Sequence, residues 1–86
     1  MEIWYVYSLY SYKSDIIYVG MSQDPEKRLL EHNNGKTRST KAHIPWVKFF
    51  QEEIGERGKA REREKYYKSA SGKKKLKKLL NQFPKP

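Results

Sequence analysis

Two tyrosines, an arginine, a histidine and a glutamate are the residues of this sequence whose types and spacing could do chemistry together. Tyr7 and Tyr18 each fall in a short aromatic and β-branched run, and on paired neighbouring strands their hydroxyls reach one mouth of a sheet if they share a face. Arg28 and His32 are four residues apart, so a helix stacks them on one face. Glu64 lies further on, among strong helix formers. Hydrolytic chemistry needs a positioned water, a group to take its proton, stabilisation of developing negative charge and help for the leaving group. Hydroxyl, imidazole, guanidinium and carboxylate groups are compatible with that work. Each residue also has a plainer role. Strand tyrosines are commonly half-buried sheet aromatics; Arg28 and His32 would make a solvent-facing pair; Glu64 would be an i,i+4 partner of Lys68.

The chain that must position these groups has 86 residues, enough for one domain, expected over residues 1–86. A chain this short buries only roughly 60–65% of its unfolded surface, so a site is expected as a shallow cleft suited to a polymeric substrate. There is no cysteine, which excludes disulfides, thiolate catalysis and Cys-based zinc sites. With two histidines, any metal would depend on carboxylate, water and substrate oxygens, as magnesium or manganese does. No apolar run approaches the ~20 residues of a membrane span, and Met1-Glu2-Ile3-Trp4 lacks the basic start of a signal peptide. The cytoplasm is therefore the expected compartment.

Charge is unevenly placed. Residues 1–56 carry seven Lys/Arg against eight Asp/Glu, whereas residues 57–86 carry twelve against two. That asymmetry suggests a polyanionic partner, nucleic acid or an anionic membrane surface; a solubilising Lys-rich helix is the plain alternative.

The elements follow from local patterns. Ile3 to Leu9 and Ile16 to Met21 read as strands, and the polar Ser11 to Asp15 between them is a hairpin-length connection, so they should pair antiparallel. Asp24-Pro25 opens a helix that Gly35 stops. A polar, basic loop over Lys36 to His43 leads to a third strand within Ile44 to Glu53, with Pro45 at an edge. Lys59 to about Ser69 is helical. Ser71 is expected to cap a last helix in which Leu76, Leu79, Leu80 and Phe83 form one apolar stripe and which Pro84 ends. The predicted fold is α+β: a small three-stranded antiparallel sheet flanked by helices, in the order β-β-α-β-α-α. Trp4, Val6, Leu29, Leu30, Trp46, Phe49, Leu76, Leu79 and Leu80 are the expected core.

Tyr5-Val6-Tyr7 and Tyr18-Val19-Gly20, followed by Arg28-x-x-x-His32, Pro45-Trp46 and the run Ala60 to Glu64 with Lys68, resemble the short, single-domain GIY-YIG nucleases from about Trp4 to Leu80. The first-motif glycine is Tyr5 here, and both isoleucines are valines. The resemblance implies a metal-dependent endonuclease acting on DNA, with Mg2+ (or Mn2+) held by Glu64. It implies that Tyr7 activates the attacking water, Tyr18 positions water or phosphate, Arg28 holds the scissile phosphate and His32 hydrogen-bonds Tyr7 or relays a proton. Gly20 would let the backbone come close.

The loop cations and hydroxyls Lys36, Arg38, Thr40 and Lys41 suit phosphate-backbone contact. Lys68 beside Glu64, and Lys73, Lys74 and Lys75 at the start of the last helix, could follow a second stretch of backbone. Such contacts imply strong salt dependence and recognition of branched or damaged shape over base sequence. One site predicts nicking by a monomer or weak dimer, with no membrane partner and no small-molecule cofactor. A non-catalytic DNA- or RNA-binding module on the same fold is the alternative, and a lipid-surface protein ranks below both because its apolar stripe is narrow.

Overall fold

The structure, a computed structural model, describes residues 2–84; Met1, Lys85 and Pro86 of the expected domain lie outside the described residues. Strands β1 (Trp4–Ser11), β2 (Ile16–Ser22) and β3 (Trp46–Gly55) alternate with helices α1 (Pro25–Asn33), α2 (Arg57–Lys68) and α3 (Ala70–Gln82) in the predicted β-β-α-β-α-α order. The sheet order is β2-β1-β3, and β1 pairs antiparallel with both neighbours. Both hairpin strands run further than their apolar patterns indicate: β1 continues through Tyr10 and Ser11, which β2 and β3 both pair, and β2 continues to Ser22, which pairs with Tyr5.

The helix ends follow local chemistry. The Asp24 side chain accepts from the Lys27 N–H at 3.1 Å, with Pro25 in the first turn. Gly35, at φ +75°, turns the chain away from α1 through a conformation that costs a residue with a Cβ. At α3 the expected cap is corrected. Ser69, not Ser71, stands at the N-cap and accepts from the Gly72 N–H, so α3 begins one residue after α2 ends. Two candidate serines separated by one alanine offer no local pattern to choose between them, and the tight α2–α3 junction makes the choice.

Alternation along the strands divides the apolar residues between two faces. Val6 and Val19 pack with Ala60 and Tyr67 of α2 and Leu76 of α3, joined by Trp4, Ile17, Met21, Phe49, Phe50, Ile54 and Leu79. Tyr7 and Leu9 face the other way and pack with Trp46, Tyr18, Ile44 and Leu29 of α1. A β-bulge in β3 opposite Ser8 and Leu9 lets the consecutive Phe49 and Phe50 both join the first cluster, which strict alternation forbids. Leu30, expected in the core, is 64% exposed, because the sheet-facing side of α1 is taken by Leu29 and His32. Tyr67, which was not expected there, is fully buried. It shares a hydrogen-bonded set with Arg63 (2.9 Å) and Glu52 (3.3 Å) that ties α2 to β3.

The α2–α3 junction generates a prediction opposite in sign to helix propensity. A Cβ on Gly72 would overlap the Tyr66 carbonyl and the Tyr67 Cα. Gly72→Ala should therefore destabilise by about 2 kcal/mol or more through overpacking, although Gly to Ala inside a helix ordinarily gains about 1 kcal/mol. Leu30→Ala should stay within about 0.5 kcal/mol of the parent. Urea unfolding midpoints of the two variants check both.

Candidate active site

Tyr7 and Tyr18 share a face because the β1–β2 register pairs Tyr7 with Gly20 and Leu9 with Tyr18. The tyrosines are thus diagonal neighbours, with ring centroids 6.3 Å apart. Gly20, directly opposite Tyr7, leaves the space that the Tyr7 ring occupies: a Cβ there would lie 2.7 Å from the Tyr7 hydroxyl and 3.0 Å from the Tyr18 ring. Gly20 is itself buried. The close approach its missing side chain permits is that of the Tyr7 ring.

Helix α1 sets its histidine against this pair. His32 is completely buried, with its Nε2 3.2 Å from the Tyr7 hydroxyl and its Nδ1 2.8 Å from Thr40 Oγ1. Its ring stands edge-on to Tyr18 at 4.8 Å. Burial, and secondarily the Arg28 charge, push the imidazole below the usual histidine range. Burial also pushes the Tyr7 phenol up to about 12, with a further push from Tyr18; Arg28 pulls the other way and the Glu64 charge adds to the rise. Arg28 and Glu64 therefore act electrostatically on the same hydroxyl, one from α1 and one from α2.

Arg28 is part-exposed and ion-paired to Glu31 one turn on, at 2.6 Å. A guanidinium carries five donors, so this pair leaves others for an anion approaching from solvent. Glu64 keeps 15% of its side chain exposed and has Lys68 at 3.5 Å, so its ordinary i,i+4 pairing exists alongside its place near Tyr7.

The remaining expected contacts divide. Lys36, Arg38 and Lys41 are exposed on the segment that leaves α1, with Lys41 opening a short 3-10 turn, Lys41–His43. Thr40, expected to touch DNA with them, is 2% exposed. That expectation is corrected: its hydroxyl is turned inward onto His32, out of reach of a substrate. Of the three lysines expected from the start of α3, Lys73 does not join the tyrosines. Lys73 lines a groove with Lys77, Tyr10, Asp15, Ile16 and Ile17, on the α3 side of the sheet, whereas Tyr7 and Tyr18 face α1. Sequence reasoning missed the structural role of Asn33, whose side-chain amide pairs both ways with the Trp46 backbone, at 2.7 and 3.0 Å, and ties the end of α1 to the start of β3.

Among the described residues no three His, Asp or Glu groups stand together as a metal-binding cluster. A single carboxylate with hard oxygen donors fits a cation that keeps most of its shell as water and substrate oxygen, as Mg2+ does, and Glu64 is the carboxylate at this site.

Compared with known proteins, residues 3–78 match the GIY-YIG catalytic domain. A UPF0213 protein of Staphylococcus saprophyticus subsp. saprophyticus is 36% identical over 78 residues, covering 90% of this chain and 94% of that protein. A UPF0213 protein of Aeromonas hydrophila subsp. hydrophila is 34% identical over 58 residues, covering 66% of this chain and 42% of that protein. No solved structure gives a significant match. No helix among the described residues is long and apolar enough to cross a membrane.

The neutral imidazole makes stability depend on pH in a definite direction. Unfolded histidine binds a proton near pH ~6.5, while the folded His32 resists it. The unfolded chain then holds more protons through this window, so stability is complete above it and falls as pH drops through it toward the depressed folded value. Urea midpoints compared at about pH 7.5 and about pH 5 should show this loss, and His32→Gln should flatten it.

Proposed function

The chain belongs to the GIY-YIG family, which places it in the nuclease superfamily, and on that footing we propose that it is a divalent-metal-dependent endonuclease that nicks DNA at the Tyr7 site. The observation that carries this reading is the Tyr7 hydroxyl itself: it is hydrogen-bonded to a neutral imidazole and lies within electrostatic reach of both Arg28 and Glu64. A purely structural tyrosine would have no need of all three.

In this reading the attacking water, brought to the Tyr7 hydroxyl with the phosphate, gives a proton to the Tyr7 oxygen as Tyr7 passes its own proton to His32 Nε2. The water oxygen bonds to phosphorus while the bond from phosphorus to the leaving sugar oxygen breaks, and solvent protonates that oxygen. Arg28 holds the phosphoryl oxygens through its guanidinium fork, where growing negative charge is best met. Tyr18, beside both Tyr7 and His32, offers its hydroxyl to the water or the phosphate. A phenol pushed up to about 12 gives up its proton reluctantly, so the arrangement works only with a proton acceptor in contact and positive charge nearby. Glu64 would hold the metal ion, which when bound supplies the charge that polarises the phosphate and acidifies the water.

Lys36, Arg38 and Lys41 beside α1, and Lys68 beside Glu64, would meet the phosphate backbone on either side of the scissile bond. Contacts of that kind favour recognition of DNA shape, branched or damaged, over base sequence. A single site of this kind, on a domain acting as a monomer or weak dimer, would cut one strand at a time.

Glu64→Ala and Tyr7→Phe should each lower nicking by roughly 100-fold or more, and Arg28→Ala should do the same while weakening binding modestly. Plasmid, duplex, flap and junction substrates with Mg2+ or Mn2+ supply the assay, with a chelator control. Binding measured by anisotropy should persist in Glu64→Ala and weaken steeply with salt. Cleavage surviving at parental level in Glu64→Ala would overturn the assignment, and salt-sensitive binding without cleavage by the parent would leave a binding module.

A further inference from the structure

The buried hydrogen bonds behind Tyr7 lead past the catalytic groups to a residue with no contact to solvent or substrate. We propose that Thr40 is a positioning residue: its hydroxyl oxygen holds His32 in the tautomer that carries its proton on Nδ1, leaving Nε2 bare to accept from Tyr7. For its effect on cleavage the inference rests on the relay described above; for the tautomer it rests on geometry alone.

Three donors and their acceptors decide the tautomer. In the free protein Tyr7, His32 and Thr40 are 1%, 0% and 2% exposed, so bulk water barely reaches the set before a substrate arrives. A neutral imidazole has one N–H, and it sits on either Nδ1 or Nε2. With the proton on Nδ1, every donor finds a partner. The Nδ1–H donates to Thr40 Oγ1 at 2.8 Å, the Thr40 hydroxyl donates to the Thr37 carbonyl at 3.3 Å, and the Tyr7 hydroxyl donates to the bare Nε2 at 3.2 Å. With the proton on Nε2, the Thr40 hydroxyl would donate to Nδ1 and the Nε2–H to the Tyr7 oxygen. The Tyr7 hydroxyl proton would then be stranded, since no other acceptor among the described residues bonds it and its charged neighbour Arg28 is a donor. A buried donor without an acceptor costs roughly 1–3 kcal/mol, enough to select the first arrangement.

Thr40 is itself held. Its backbone N–H donates to the Thr37 carbonyl at 3.2 Å, and its own carbonyl accepts from the Trp46 indole N–H at 3.0 Å. The hydroxyl is thus anchored from the loop and from β3, and it cannot follow the imidazole if His32 shifts. A histidine oriented by a fixed acceptor behind it is a general means of keeping one ring nitrogen available. Here a neutral hydroxyl does this in a site that holds a neutral imidazole.

Long-range proton–nitrogen NMR of His32 in the intact protein reads the tautomer directly. The parent should show a protonated Nδ1 and a bare Nε2; the opposite pattern overturns the proposal without any variant. Thr40→Val keeps the shape and removes the acceptor, so each tautomer then leaves one donor unmet and the His32 signals should lose the single Nδ1–H pattern and gain the Nε2–H form, while Thr40→Ser should keep the parental one. Signals unchanged in Thr40→Val also overturn the proposal. Nicking should fall by roughly tenfold or more in Thr40→Val and recover in Thr40→Ser, with DNA affinity unchanged in both. If Thr40→Val loses the single tautomer but nicking does not change, Thr40 is established as the positioning residue and the proton relay through His32 fails instead.

Discussion

An imidazole sealed completely inside a small protein must find a partner for each ring nitrogen, and in this chain that requirement organises everything around it. His32 meets it with a tyrosine from the central strand on one side and a threonine from the following loop on the other. Helix α1 must therefore be rotated to bring His32, not Leu30, against the sheet, which is why Leu30 is left in solvent. The segment after α1 must curl back far enough to deliver Thr40. Its return is secured by the Trp46 indole and by the Asn33 amide, both reaching across to groups of the other element. Gly20 must lack a side chain so that Tyr7 can lie where the imidazole needs it.

The same burial sets the electrostatics. Removing Tyr7 and His32 from water disfavours the charged form of each, so the phenol moves up and the imidazole moves down. The two neutral groups can then exchange a proton across one hydrogen bond without either carrying charge at rest. The charges stay at the rim: Arg28 is held by Glu31, and Glu64 by Lys68, in pairs that remain partly exposed. Such pairs add little to stability, and an incoming phosphate or cation can draw one partner away from the other.

Size explains why core and site overlap. On one side the sheet's Val6 and Val19 meet Tyr67 of α2 and Leu76 of α3, a cluster of apolar residues and one hydrogen-bonded tyrosine. The other side is covered only by the short α1 and the loop behind it. Its core is the candidate site: Tyr7 packs with Leu9 and Trp46 and also presents the hydroxyl on which the proposed chemistry depends. With so little surface to bury, the chain has no spare layer to place between its catalytic groups and its packing. Changes at Tyr7, His32 or Gly20 are therefore expected to touch stability and activity together.

The elements were legible in the sequence because their signals are local. Alternating aromatic and β-branched runs, an Asp-Pro helix start and an i, i+3, i+4, i+7 leucine stripe each act within a few residues, and the β-β-α-β-α-α order followed from them. The candidate site groups Tyr7, Tyr18, Arg28, His32 and Glu64 were also legible, as residue types at family spacing. Tertiary structure alone decided what each side chain touches. The polar alternation of Lys36 to Lys41 is the same whether a hydroxyl faces solvent or an imidazole, and only the fold of the loop against Trp46 turned Thr40 inward. Nothing in a Lys-rich helix tells which side of the sheet it covers, so Lys73 could be set apart from the tyrosines only once α3 was seen to pack against the opposite face. Spacing along the chain determines which groups one element can present; the rotation and packing of elements against each other determine which of them meet, and those depend on contacts between residues far apart in sequence.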